Sequence, residues 1–205
     1  MKKGIFITLE GVDGAGKSSH TEWLCEYFLT LGREVVVTRE PGGTPIGEQL
    51  REILLHQEMS QATEVLLMFA ARQESIEQII KPALAQGKVV ISDRFTDSTY
   101  AYQGGGRGFN KNKIDQLAQW VHADVQRDLT LLFDVPVEVA RARLEATRQL
   151  DRFEREHEDF FLAVQAAYHE CVSRDPQCYY VVDSTQSMVS IREQLSDVLK
   201  QRFPV

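Results

Sequence analysis

Residues 11–18 read GVDGAGKS and match G-x-x-x-x-G-K-[ST], a pattern suited to holding phosphates. Its glycines let consecutive backbone N–H groups turn inward around phosphate oxygens, and a helix starting at its end adds a positive dipole. Lys17 is placed to reach β- and γ-phosphates, and the Ser18 hydroxyl to ligate Mg²⁺. Phosphoryl transfer spreads negative charge over several oxygens. The loop answers with one full positive charge, on Lys17. The remaining charge must come from elsewhere in the chain.

Two other stretches offer it. The apolar run KVVIS (88–92) ends in Asp93-Arg94, and ligands bind at the carboxyl ends of parallel strands. There Asp93 could hold Mg²⁺ through water and Arg94 could clamp a phosphate; an ion pair at a strand end is the competing reading. Farther on, ATRQLDRFEREHED (146–159) carries Arg148, Arg152 and Arg155 at spacings of four and three. On a helix they would form one basic face. A solvated face paired with Asp151, Glu154 and Glu156 accounts for the same residues.

Some tempting patterns fail on context. NKID (112–115) imitates a guanine-specificity motif but follows glycines and not an apolar strand, so it reads as a helix start with Asn110 or Asn112 as N-cap. HEDFF (157–161) begins like a zinc motif and lacks its second histidine, so no structural zinc is expected. QGGGRGFN (103–110) reads as a loop.

The elements that must position these groups are legible as apolar runs. IFITL (5–9), VVVT (35–38), KVVIS (88–92), LTLLFDV (129–135) and YYVV (179–182) recur at intervals that leave room for a helix. Runs without polar alternation suit strands covered on both faces, in a mainly parallel sheet. The segments after Ser18 and near the C-terminus carry apolar residues at helical spacing, such as Trp23, Leu24, Tyr27, Phe28 and Leu31. The expectation is one α/β domain over residues 1–205 in αβα layers. A net charge of −7 argues against general binding to nucleic acid or an anionic membrane. No apolar stretch reaches bilayer-spanning length, the first run is too short for an export signal, and Cys25, Cys171 and Cys178 form no C-x-x-C pair. These features point to the cytoplasm.

The strings EGVDGAGKSS, TREPGGT (38–44), FAARQE (69–74), SDRFTDSTYAYQGGGRG (92–108) and LDRFERE (150–156), in this order, resemble the thymidylate kinase family of the bacterial type. The resemblance implies a P-loop nucleoside monophosphate kinase-like fold with a five-stranded parallel sheet, a homodimer, and the reaction ATP + dTMP → ADP + dTDP with Mg²⁺. It assigns ATP to Gly11, Val12, Asp13, Gly14, Ala15, Gly16, Lys17, Ser18 and Ser19. For dTMP it implies Phe69 stacking on thymine, Arg72 on its O4, Thr99 facing N3 with Gln103 beside it, and Tyr102 near the sugar 2′ position. Asp13 would approach the 3′-hydroxyl, Arg94 would grip the phosphate with Asp93 near the metal, and Arg39 would lie on the acceptor-phosphate side with Glu40. Members of this type carry glycine at position 14 and place arginines in a mobile lid, here around 146–159. Arg148 is then the expected catalytic arginine, Arg152 its support and Glu154 a metal-side carboxylate. Read from the residues alone, a Phe in an apolar helix, as at Phe69, is more often core than a platform for a base. A kinase with another acceptor and a slow regulatory P-loop protein remain the alternatives.

Overall fold

Side-chain alternation along the central strand organises the molecule, a computed structural model that describes residues 3–145 and 151–204. In β1 (Ile5–Glu10), Ile5, Ile7 and Leu9 point to one face of the sheet and Phe6 to the other. Each face is covered, so every residue of β1 is buried. Four more strands join it: β2 (Val35–Arg39), β3 (Val89–Asp93), β4 (Leu129–Asp134) and β5 (Tyr179–Asp183). All pairings are parallel, in the order β2-β3-β1-β4-β5. Five runs read as strands from their apolar character thus form one five-stranded parallel sheet.

The face of Ile7 and Leu9 is covered by α1 (Ser18–Thr30), α8 (Glu158–Arg174) and α9 (Met188–Arg202), through Leu24 and Phe28, Val164 and Tyr168, and Leu195 and Leu199. On the other face Phe6 and Val90 meet Val65 and Phe69 of α3 (Gln61–Ser75) and Ile114 of α6 (Lys111–His122). Helix α2 (Pro45–His56) precedes α3, which runs through a π-helical turn (Ile76–Ile80) into α4 (Lys81–Ala85); α7 (Val137–Glu145) follows β4. Asn110 caps α6 by accepting from the Asn112 N–H, as expected for a helix start at NKID.

One expectation is corrected. The glycine run does not form a loop from Gln103 onward: α5 (Thr96–Thr99) continues as π-helical turns through Tyr100–Gly106. The reason is packing against α8. A Cβ on Gly105 would stand 2.6 Å from that of Ala167, and one on Gly106 would stand 2.3 Å from the Phe160 ring. These glycines let two helices touch.

Sheet order decides where ligands go. β1 connects onward to β2 at one edge of the sheet and its neighbour β3 to β4 on the other side, and this divergence opens a crevice at the carboxyl ends of β1 and β3. Residues 11–17 follow β1 into that crevice, and Asp93-Arg94 enter it from β3.

Candidate active site

Two clefts open there. The first, about 1240 Å³ and continuous with solvent, is lined by Lys17, Ser18 and Ser19 together with Arg39, Asp93 and Arg143. Gly14 in its floor has φ +81°, and a Cβ there would stand 2.2 Å from the Ala140 carbonyl oxygen of α7. No side chain fits at position 14, so α7 rests directly on the phosphate loop. Lys17 donates from Nζ to the carbonyls of Gly11 and Val12, at 2.9 and 3.1 Å. Burial, then the charge of Arg94, lowers its pKa. Asp93 Oδ1 is buried and has no hydrogen-bond partner among the described residues. An unsatisfied carboxylate oxygen and the Ser18 hydroxyl on one cleft fit a hard cation.

Arg143 carries charge to this loop and has no counterpart in the motif reading. It donates from Nη1 to the Gly14 carbonyl at 3.5 Å and from Nη2 to that of Ser184 at 2.9 Å. Its place follows from α7: Ala140, one turn earlier, is the residue in contact with Gly14.

The second cleft, about 650 Å³, is lined by Met68, Arg72, Thr99, Tyr102, Gln103 and Phe153, among others. Asp13, Glu40, Arg51 and Arg94 line both clefts. Arg51, on α2, belongs to no motif and was invisible in the sequence. Its Nη1 donates to the Pro41 carbonyl at 3.0 Å.

Arg94 is the junction. Its backbone takes φ +72°, an unfavourable region for a side-chain-bearing residue. From there Nη2 donates to Asp13 Oδ1 at 2.6 Å and to the Tyr102 hydroxyl at 3.1 Å, while Tyr102 donates to Asp13 Oδ2 at 2.8 Å. Burial pushes the Asp13 carboxyl up, yet Arg94 and Lys17 outweigh it and hold the group well below the usual carboxylate range. Asp13 is therefore an ionised acceptor and a poor proton-abstracting base.

At the base end of the second cleft, Arg72 pairs with Glu40 at 2.7 Å and donates from Nη2 to Thr99 Oγ1 at 3.1 Å. Gln103 donates to Glu64 Oε1 at 2.8 Å. Phe69 does not line this cleft: it is 2% exposed, in the core against Phe6 and Phe95. It meets Arg72 from behind, with the guanidinium 4.7 Å from the ring centre. Phe69 and Arg72, three residues apart on α3, are thus in contact, with the ring as backing. Met68, four residues before Arg72, is the α3 side chain that shares the cleft with it. Arg39 pairs with Glu48 at 2.8 Å and lines the phosphate cleft alone.

The basic segment also differs from its expected form. Arg148 lies outside the described residues. Residues 152–156 form turns and a bend and not a helix: Asp151 Oδ1 accepts from the N–H groups of Phe153 and Glu154, and the Arg155 N–H donates to the Asp151 carbonyl, closing a single turn. Among the described residues, Arg152 and Arg155 thus share no helical face. Arg152 donates to the Leu54 carbonyl at 3.0 and 2.8 Å and pairs with Glu64 at 2.8 Å, away from the phosphate cleft. Glu154 is buried, accepts from the Asp151 N–H at 2.9 Å, and lines neither cleft.

Beneath the site two titrations oppose each other. Burial, then Asp97, pushes the Glu10 carboxyl up to about 7; burial, then Arg72, pushes His122 down to about 4. Glu10 contributes stability fully below its unfolded value of 4.5 and loses that contribution as pH rises through 7. His122 contributes fully above its unfolded value of 6.5 and loses that contribution as pH falls through 4. Between pH 6.5 and 5 the two slopes cancel, so the wild-type Tm should stay nearly level. Glu10→Gln should uncover the His122 slope, with stability falling by about 2 kcal/mol over that interval. Scanning calorimetry at both pH values checks this; a Tm that rises on acidification in the variant would contradict it.

With this geometry in place, comparison with known proteins is informative. A family model described as thymidylate kinase matches residues 9–195. Thymidylate kinase of Janthinobacterium sp. (strain Marseille) is 57% identical over 199 residues, covering 97% of this chain and 98% of that protein. That of Methylobacillus flagellatus is 53% identical, with coverage of 97% and 98%. The crystal structure of thymidylate kinase from Ehrlichia chaffeensis superposes with a TM-score of 0.78 at 34% identity, covering 96% of this chain and 99% of that one.

Proposed function

The chain belongs to the thymidylate kinase family, which phosphorylates dTMP using ATP, and from that premise we propose how its residues divide the work. ATP lays its phosphates on Gly11–Ser19, and Lys17 turns its ammonium from the loop carbonyls to the β- and γ-phosphates. Ser18 and Asp93 would hold Mg²⁺, which would supply positive charge against the phosphates. Deoxythymidylate occupies the second cleft, with its base toward Met68, Arg72, Thr99 and Gln103 and its phosphate toward Arg94 and Arg51. One observation supports this most: a cleft along the phosphate-loop motif and a second cleft of mixed polar and apolar lining share Arg51, Arg94, Glu40 and Asp13.

The step needs no general base. An ionised phosphate oxygen of dTMP bonds to the γ-phosphorus, the bond from that phosphorus to the β,γ-bridging oxygen breaks, and ADP leaves with the electron pair. With no proton to remove, Asp13 is left to accept from the sugar 3′-hydroxyl, and its low pKa suits that task. Residues 146–159, carrying Arg148, serve as a lid on the single domain and exclude water that would compete for the phosphoryl group. Assaying dTMP against dUMP, dCMP and thymidine tests the reading: turnover of about 1–100 s⁻¹ is expected for dTMP, and absence of a preference for it would overturn the assignment.

The family resemblance also carries a homodimer, and a surface is present for it. Leu66 and Trp120 are 56% and 82% exposed on a groove between α3 and α6 that also includes Leu117 and Val121. An exposed tryptophan beside aliphatic neighbours suits a second copy of the same face. Trp120→Glu should sediment as a monomer at concentrations where the wild type is a dimer; an unchanged sedimentation coefficient would move the interface elsewhere. Among the described residues no helix is long and apolar enough to cross a membrane, and the three cysteines are free thiols. The thiols support a cytoplasmic setting.

A further inference from the structure

Arg94 is held from behind as well as from the front. Its Nη1 faces three oxygens: the Gly11 carbonyl at 3.2 Å, Ser98 Oγ at 3.0 Å and the Tyr168 hydroxyl at 3.1 Å. Both hydroxyls also reach Glu10, and they stand 2.9 Å from each other. Ser98 donates to Glu10 Oε2 at 2.6 Å and Tyr168 to the same oxygen at 3.0 Å, while Oε1 accepts from the Phe95 N–H at 2.7 Å. A hydroxyl that gives its proton to Glu10 can turn only lone pairs toward Arg94. Arg94 can only donate, so both hydroxyls accept from it, and their protons are left for Glu10 and for each other. The far end of the bracket is buried: Glu10 is 0% and Tyr168 1% exposed. Glu10 ends β1 and Tyr168 lies on α8, so the bracket joins two elements distant in sequence.

We propose that Glu10 and Tyr168 are positioning residues for phosphoryl transfer, which hold the Arg94 guanidinium at the junction of the two clefts without touching substrate. The inference rests on the reading of Arg94 as the acceptor-phosphate arginine. The strained backbone of Arg94 gives the bracket its purpose. A side chain leaving from φ +72° has rotamers that would carry it out of the junction, and three oxygens behind Nη1 select one of them. Asp13 and Tyr102 fix the other end of the fork.

The test is a double-mutant cycle in steady-state kinetics on the full chain. Tyr168→Phe keeps the ring, which packs edge-on against Tyr102, and removes one oxygen; it should lower kcat/KM for dTMP by about ten-fold and leave KM for ATP within about two-fold. Glu10→Gln keeps the shape, but with its amide oxygen on the Phe95 N–H it points donors at both hydroxyls, so it should give the same split. In an Arg94→Lys background, where the fork is gone, Tyr168→Phe should cost nothing further. A purely structural role for Tyr168 predicts equal factors in both backgrounds, and that result overturns the proposal. So does a Tyr168→Phe enzyme of unchanged kcat/KM. Arg94→Lys with wild-type kinetics would instead refute the reading of Arg94 on which the bracket depends.

Discussion

Arg94→Ala should abolish most dTMP turnover, with kcat/KM for dTMP falling by about 10³ or more, the scale of arginine contributions to phosphoryl transfer. Two losses combine. The acceptor phosphate loses the guanidinium that stands where the two clefts meet, so its oxygen is no longer held in line with the γ-phosphorus. Asp13 also loses its partner at 2.6 Å, leaving two negative groups, the carboxylate and the incoming phosphate, to repel each other. Breaking a buried pair by removing one member costs about 3–5 kcal/mol, an upper limit here because the side chains of Arg94 and Asp13 are 15% and 25% exposed. The variant should therefore unfold earlier as well as turn over more slowly. Asp13→Asn in the Arg94→Ala background removes the stranded charge and should recover stability without recovering turnover. Recovery of both would mean that Arg94 serves the fold and not the transfer.

The second large effect separates two arginines that could complete the charge on the loop. Arg148→Ala should lower kcat by about 10³ with little change in KM for ATP, because a lid arginine meets the phosphates chiefly in the transition state. Arg143→Ala should do the reverse. That side chain already touches the loop at the Gly14 carbonyl and is held by the carbonyl of Ser184, just after β5, so it is available to the ground-state nucleotide, and its loss should raise KM for ATP more than it lowers kcat. Single-turnover measurements at saturating ATP isolate the chemical step. A kcat loss confined to Arg143→Ala would move the catalytic charge from the lid to α7.

The two predictions draw on different levels of the molecule. Local signals are readable in the sequence because their physics is local. The phosphate loop needs only its glycines, its lysine and the strand and helix around it. The five strands need only apolar runs of suitable length. The Asn110 cap needs only a polar side chain two residues before an N–H. Position 14 stands at the boundary: the motif admits any residue there, and a φ of +81° together with the carbonyl of Ala140, 126 positions later in the chain, excludes a side chain.

What depends on packing between distant segments was not legible. Helical spacing placed Phe69 and Arg72 on one side of α3, yet a helix face about 100° wide holds Met68 equally well, and Phe6 and Phe95 decide which of the two is buried. The basic run around Arg152 has the periodicity of a helix, but Asp151 turns the backbone, and buried Glu64 draws Arg152 to the nucleoside side. The glycines at 105 and 106 looked like a loop because their use, close contact with α8, involves residues some 60 positions away. Arg51, Arg143 and Tyr168 lie in none of the motifs, and Glu10 opens the phosphate-loop string with nothing local to show that it reaches Ser98 and Tyr168.

The sequence by itself determined the chemistry available to this protein: a phosphate cradle, a strand-end arginine, an α/β scaffold to hold them, and a family whose reaction is phosphorylation of dTMP. The tertiary structure alone decided which side chains face which cleft and what holds Arg94 in place. The physical reason is range. Backbone conformation and hydrogen bonding in turns are settled by a few neighbouring residues, whereas burial and charge pairing are settled by whatever the fold brings within a few ångströms.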